Sequence, residues 1–278
     1  MSATLFLAVL FAAFLHAGWN ALVKTGDDKF QAMFILSTSQ GLMGLLMTLV
    51  LPLPQGQVWL WLLGSGLVHS LYKFFLSSAY EHGDLSRVYP IARGLAPMLV
   101  ALVGVFFLTD QLSMQEYLGI AALGIGIIAM ARGVFSNDES RHTLRFALAS
   151  ALMTACYSLI DGLGARVAGD ATVFVAWMFL IDGVIFGSWA LWRRGPSGLA
   201  AGRRDWLRGS MAGGASLGAY WIAVWAMTQA PIALVTALRE TSILFAVLIG
   251  VVVFRERFDR SKAIATVLIV GGVVLTRI

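Results

Sequence analysis

Residues 93–126 read RGLAPMLVALVGVFFLTDQLSMQEYLGIAALGIG. The stretch holds most of two apolar runs, 88–108 and 117–131, parted by a short polar break. Moved along the chain by 146 positions, it lies on residues 239–272, RETSILFAVLIGVVVFRERFDRSKAIATVLIVGG. Arg93 then falls on Arg239, Leu102 on Leu248, Gly104-Val105 on Gly250-Val251, and Gly126 on Gly272, while the acid Asp110 meets the acid Glu256. Apolar segments match easily by chance, so these identities alone would be weak. A second feature strengthens them. The break 109–115 holds no Lys or Arg, whereas its counterpart 255–261 holds Arg255, Arg257 and Arg260. Basic residues gather in cytoplasmic loops of membrane proteins. Two copies of one unit carrying opposite loop charge therefore lie in opposite orientations across a bilayer.

The rest of the chain agrees. Of its 278 residues 59% are hydrophobic and only 13% are charged, against about 45–50% apolar and about 25% charged in a soluble domain. One soluble core cannot bury that much apolar surface. A soluble enzyme, a disordered chain and a nucleic-acid module are excluded as classes, and the net charge of +5 is orientation signal rather than a docking charge. Ten apolar runs are read as spans: 3–23, 30–51, 58–80, 88–108, 117–131, 144–165, 172–192, 207–227, 232–254 and 263–275. A span needs roughly 20 mostly apolar residues. The odd-numbered loops hold fifteen of the twenty Lys and Arg residues, the even side holds Arg166 and Arg277, and Lys73, Arg93 and Arg239 lie within spans. The odd loops are thus expected in the cytoplasm and both termini outside. No basic residue precedes Lys24, so the first run reads as a span rather than a signal peptide. Cys156 is the single cysteine, which rules out an intrachain disulfide and a cysteine metal cluster.

The expected fold is all-α and integral to the membrane: ten transmembrane helices as two inverted five-helix repeats. The repeats are placed at 1–135 and 143–278, with 136–142 as linker. Inverted repeats with a site between them are a transporter architecture.

The chain resembles the EamA-type carriers of the drug/metabolite transporter superfamily. The resemblance covers essentially its whole length. It rests on the five-plus-five spans and on the end of each half: Pro97 to Asp110, Tyr117-Leu118-Gly119 and Gly124-Ile125-Gly126 in the first, Phe254-Arg255-Glu256-Arg257 and Gly271-Gly272-Val273-Val274-Leu275 in the second. The stretches from Leu15 to Asn20 and from His82 to Gly94 look like a bacterial subgroup, some of whose members sit in phosphonate-use contexts. Ala265 departs from the pattern by standing where the first half has Gly119. The resemblance implies a ten-helix basket with a central cavity that moves small metabolites. It also implies cytoplasmic termini, the reverse of the charge reading.

Ionisable side chains inside a span cost about 2.5–3.5 kcal/mol at a helix centre and mark function by default. Well inside the spans lie Lys73, Arg93, Asp161, Asp182, Arg239 and Glu240, three cations and three anions. The bland alternative is mutual pairing between helices. Arg93 and Arg239 are repeat-equivalent, and two Arg forks facing one cavity would bind a carboxylate or phosphonate. His16, Trp19 and Asn20, like His69, Tyr72 and Lys73, are spaced i, i+3, i+4 and share a helical face. Tyr89 lies beside Pro90 and Pro97, which can break span four. Tyr157 and Asp161 form a polar stripe on span six. Tyr220 and Trp221 could wall a pocket, though Trp also anchors interfaces.

The expected substrate-binding set is therefore Arg93, Arg239, His16, Trp19, Asn20, His69, Tyr72, Lys73, Tyr89, Tyr157, Asp161, Tyr220, Trp221 and Glu240. It serves a secondary transporter for a small polar or anionic metabolite, amino acid or phosphonate-like, working by alternating access in a bacterial inner membrane. Proton coupling through His16 or His69 is expected because His titrates near neutral pH. No metal, cofactor, nucleic acid or catalytic residue is expected; the partners are the substrate and the lipid. The rivals are a flippase and an integral-membrane enzyme acting on a lipid-linked substrate. Two soluble-enzyme patterns, Gly124 to Ala129 and Gly214 to Gly218, fall inside apolar helices, where neither pattern has its strand.

Overall fold

The protein was analysed as a computed structural model that describes residues 1–26, 28–82, 95–130, 141–253, 255 and 260–276. Among these the regular structure is entirely helical. The helices are α1 (Ala3–Lys24), α2 (Lys29–Thr48), α3 (Val58–His82), α4 (Ala96–Phe107), α5 (Met114–Met130), α6 (Arg141–Ala168), α7 (Ala171–Gly198), α8 (Arg203–Gln229), α9 (Ile232–Arg239), α10 (Ser242–Val252) and α11 (Arg260–Leu275). Five segments are long and apolar enough to cross a membrane on their own: α1, α2, α6, α7 and the α9–α10 pair.

The burial pattern inverts that of a water-soluble bundle. Leu60, Leu63 and Leu67 of α3 face outward, as do Phe106 and Phe107 of α4. The interior holds Ser37, Gln40, Ser65, His69, Lys73, Thr154, Ser158, Asp161 and Asp182. Hydrocarbon is the solvent that accepts such an outer face, and polar groups in lipid turn to the bundle interior. Several buried hydroxyls bond back to their own helix. Thr154 donates to the carbonyl of Ser150, Ser158 to that of Thr154, and Thr236 to that of Ile232.

The two halves pack as a pseudo-symmetric pair. α3 lies along α6, and α1 along α8. α2 touches α8 as α3 touches α7, and α1 touches α10 as α4 touches α6. Exchanging the first five spans for the second five maps each contact onto its partner. The α2–α7 and α5–α11 contacts map onto themselves and so lie on the axis. Five spans per half is an odd number, so successive halves enter from opposite sides.

Two axial contacts are made by backbone. A Cβ built on Gly183 would stand 2.7 Å from the Cα of Gly41, and one built on Gly119 would stand 2.7 Å from the carbonyl oxygen of Gly272. The symmetric counterpart of the Gly119–Gly272 contact is Gly126 against Ala265. The departure at Ala265 thus falls on one arm of an axial contact.

Span nine, expected as one run, is two segments. Between α9 and α10 the backbone bonds shorten to i→i−3: Glu240 to Ala237, Thr241 to Leu238, Ile243 to Glu240. A tightened turn in mid-span often marks a hinge. α10 starts at Ser242 and α4 at Ala96, 146 positions apart, the register found in the sequence. The α7 helix outruns its expected span and is kinked at Gly195, whose φ of 67° precedes Pro196.

Both ends of the bundle are tied across the halves. At one end Arg166 grips Asp110 with two bonds of 2.8 and 3.1 Å and reaches the carbonyls of Met227 and Ala230. Asp110 also accepts the Ile232 backbone N–H at 2.9 Å. At the other end Asp28 caps α2 through the Gln31 N–H and pairs with Arg194. Burial raises the affinity of Asp28 for a proton. The Gln31 N–H and the Arg194 guanidinium outweigh that effect and hold its carboxyl below the usual value. Asp28 therefore serves as both a helix cap and a latch.

Candidate functional site

α3 is wedged between α6 and α7, and its polar side chains split between them. His69 turns to α6, where its Nε2 lies 2.8 Å from Oδ2 of Asp161. The Tyr220 hydroxyl, on α8, donates to the same oxygen. Asp161 is fully buried, and its Oδ1 has no partner among the described residues. Rings enclose the pair. Tyr157 stacks on His69 with centroids 4.2 Å apart, Tyr220 meets His69 edge-on at 5.2 Å, and Tyr72 meets Tyr157 at 5.4 Å. The i, i+4 spacing of Tyr157 and Asp161 puts both on the α6 face that meets α3.

Arg239 ends α9 at the tightened turn. Its guanidinium lies over the Tyr220 ring, 4.9 Å from the centroid. It is 95% buried (relative exposure 5%). Among the described residues it forms no ion pair and no hydrogen bond; the Tyr220 ring is its recorded contact. A cation over an aromatic face gains about 2 kcal/mol or more when desolvated. That is less than the several kcal/mol a buried charge costs, so the site has unspent capacity for an anion.

Lys73 turns the other way. It pairs with Asp182 of α7 and donates to Ser37 of α2 at 2.7 Å. Ser70 donates to the second Asp182 oxygen at 3.2 Å, and the ammonium stands 5.4 Å from the Phe186 centroid. Asp182 stood out in the sequence only as an intramembrane acid. Ser70, its partner, and Ser37, the acceptor for Lys73, carried no sequence signal.

Tyr72, Tyr157, Asp161, His69, Tyr220 and Arg239 thus come together from four helices. The other described residues of the expected set have partners outside this cluster or are engaged otherwise. His16 and Trp19 serve each other: the Trp19 Nε1 donates to His16 Nδ1 at 3.2 Å, and Asn20 donates to the His16 carbonyl at 2.8 Å. Trp221 is 40% exposed and donates to Thr172 at 3.2 Å, away from the cluster. Glu240 is buried and engaged in an interaction of its own. Arg93 and Tyr89 lie outside the described residues. A recess of about 110 Å³ opens at the Asp28 end, between α1, α2 and α8. It shares no side chain with the cluster, and two of its three charged groups are used locally, Asp28 on Arg194 and Arg208 on the Thr25 carbonyl.

An inside-out helical bundle with internal two-fold repetition and charged groups at mid-depth is the structure of a multi-pass membrane transporter. The model of the EamA-like transporter family matches the chain twice, over residues 3–132 and 143–278. The chain belongs to that family, within the drug/metabolite transporter superfamily. It is also similar to a Sinorhizobium sp. protein named "Uncharacterized transporter in cobO 3'region", at 34% identity over 76 residues. That match takes in 27% of this chain and spans about half, 53%, of the relative. A solved crystal structure superposes on 100% of this chain and 99% of its own, with a TM-score of 0.79 and 21% identity. This last likeness concerns the fold alone.

Proposed function

We propose that the protein is a secondary carrier moving a small polar or anionic metabolite, of amino acid or phosphonate type, across a bacterial inner membrane by alternating access. The observation that carries this reading is Arg239, a buried guanidinium without an acceptor among the described residues. A planar fork of donors suits carboxylate and phosphonate oxygens, and the dry surroundings strengthen each bond. Arg93, its repeat-equivalent, is the proposed second anchor. Tyr72, Tyr157 and Tyr220 supply the walls. His16, Trp19, Asn20 and Glu240 line the path away from the anchor. The halves 1–135 and 143–278 are the bodies that exchange access, joined by 136–142, with the odd loops in the cytoplasm.

Reconstituted vesicles test the reading with labelled L-alanine, L-glutamate and methylphosphonate, each with and without a pH gradient. Arg239→Ala should lower flux of the carried probe at least about 100-fold, since buried charge-assisted contacts are worth 2–5 kcal/mol. The variant should still elute as a folded monodisperse protein, and Arg239→Lys should recover part of the flux. Full flux through folded Arg239→Ala would remove the anchor.

A further inference from the structure

We infer that Asp161 and His69 form the proton-binding site of the carrier, holding one proton that enters and leaves with the anion on Arg239. The inference rests on the anion reading above and deepens it.

The asymmetry of the Asp161 carboxyl carries the argument. Both contacts, from His69 Nε2 and the Tyr220 hydroxyl, fall on Oδ2, while Oδ1 is buried with no donor among the described residues. An ionised carboxylate shares its charge between the two oxygens. An orphaned buried Oδ1 would then carry half a charge without hydrogen bonds, at a high cost. No Lys or Arg touches Asp161 among the described residues. A proton on the pair relieves the cost in either of two arrangements. The Asp161 hydroxyl donates to a neutral His69 Nε2, which leaves Oδ1 an ordinary carbonyl oxygen. Alternatively the imidazolium N–H donates to Oδ2, and its positive charge offsets that of the carboxylate while Oδ1 stays unbonded. The Tyr220 hydroxyl donates to Oδ2 in both. One proton thus makes the pair neutral, and its loss strands a negative charge.

Coupling to the anion follows from charge balance. From the elements packed on α6, the groups facing Asp161 are His69 of α3, Tyr220 of α8 and, behind the Tyr220 ring, Arg239 of α9. Tyr157 faces it from α6 itself through the His69 ring. On α7, Asp182 is already neutralised by Lys73. The described part of α4 carries no titratable side chain. An anion docking on Arg239 adds one negative charge to this interior. The cheapest compensation within reach is a proton on the Asp161–His69 pair, because water and salt are excluded there. Linkage makes the effect reciprocal: the anion draws the proton in, and the proton tightens the anion. At its steepest the anion affinity should fall about tenfold per pH unit as the proton is lost.

The test has one arm that needs no substrate. Infrared difference spectra between acid and alkaline pH are taken on wild-type protein, Asp161→Asn and His69→Gln in lipid nanodiscs. The expected result is a pH-dependent carboxyl or imidazole signal present in wild type and missing from both folded variants. An unchanged difference spectrum in Asp161→Asn would overturn the proposal. In the second arm, vesicles containing a pH dye receive whichever of L-glutamate or methylphosphonate the wild type carries. Wild type should acidify the lumen with uptake, and an inward proton gradient should speed uptake. Asp161→Asn should lose the response to the gradient, read as the ratio of rates with and without it. Carriage by wild type without proton movement would overturn coupling while leaving the Arg239 anchor standing. Carriage by Arg239→Ala at the wild-type rate would do the reverse.

Discussion

His69 and Lys73 lie one turn apart on α3, and each holds a fully buried aspartate. Their surroundings differ in what is left over. Around Asp182 a fixed cation and Ser70 engage both oxygens, and Lys73 has a further acceptor in Ser37. Around Asp161 no fixed cation among the described residues makes contact, and one oxygen is idle among them. A saturated network ties α2, α3 and α7 together and has no room for a newcomer. An unsaturated one has a vacant valence at the centre of the bundle. The pseudo-symmetry supplies a third case. Gln40 precedes Gly41 as Asp182 precedes Gly183, and Gln40 donates to Ser216 of α8 at 3.0 Å. The seam that is ionic between α3 and α7 is therefore neutral between α2 and α8.

The contrast is broken or sharpened by a series of substitutions. Removing Lys73 strands Asp182, so Lys73→Ala should cost about 3–5 kcal/mol, read by denaturant-induced unfolding in detergent. The double variant Lys73→Met with Asp182→Leu should recover most of it. A loss as large in Asp161→Asn would erase the distinction between the clusters. The amide keeps the Tyr220 contact and strands no cation, so the expected cost is below about 1.5 kcal/mol. Gly183→Val, which overpacks the axis beside the ionic seam, should fall between them at about 1–3 kcal/mol. Gln40→Leu removes the buried unpartnered Oε1 of the neutral seam and should change stability by no more than about 0.5–1 kcal/mol. The smallest effect is that of the Asp28 latch. Its carboxyl binds a proton less readily in the folded state. Its contribution is therefore complete above the unfolded-state value and lost as pH falls through the lower folded one. Asp28→Asn should flatten that acid limb without changing stability at neutral pH by more than a small amount.

The fold was legible because lipid simplifies the code. Length, apolarity and loop charge decide the spans, and the 146-residue register reappears in the starts of α4 and α10. Part of the cluster was legible for a similar reason: Tyr157 with Asp161, and His69 with Tyr72, share faces by period alone. Periodicity could not say which neighbour each face meets. His69 and Lys73 look like one stripe, yet a helix advances about 40° past a full turn over four residues. On a helix wedged between α6 and α7 that offset separates the two partners. Tyr220 and Trp221 were grouped by adjacency, but neighbours diverge by about 100°, and Trp221 goes to the rim. The tightened turn after Arg239 contains no Pro or Gly and left no local mark.

The glycine contact on the axis has a consequence in genetics. A bulky replacement at Gly41 or Gly183 meets backbone, and the residue opposite is already the smallest there is. The usual compensation, shrinking the partner, is closed. A selection for restored growth starting from Gly183→Val should return same-site revertants, or changes that shift α2 or α7 as a whole, and no suppressor at position 41.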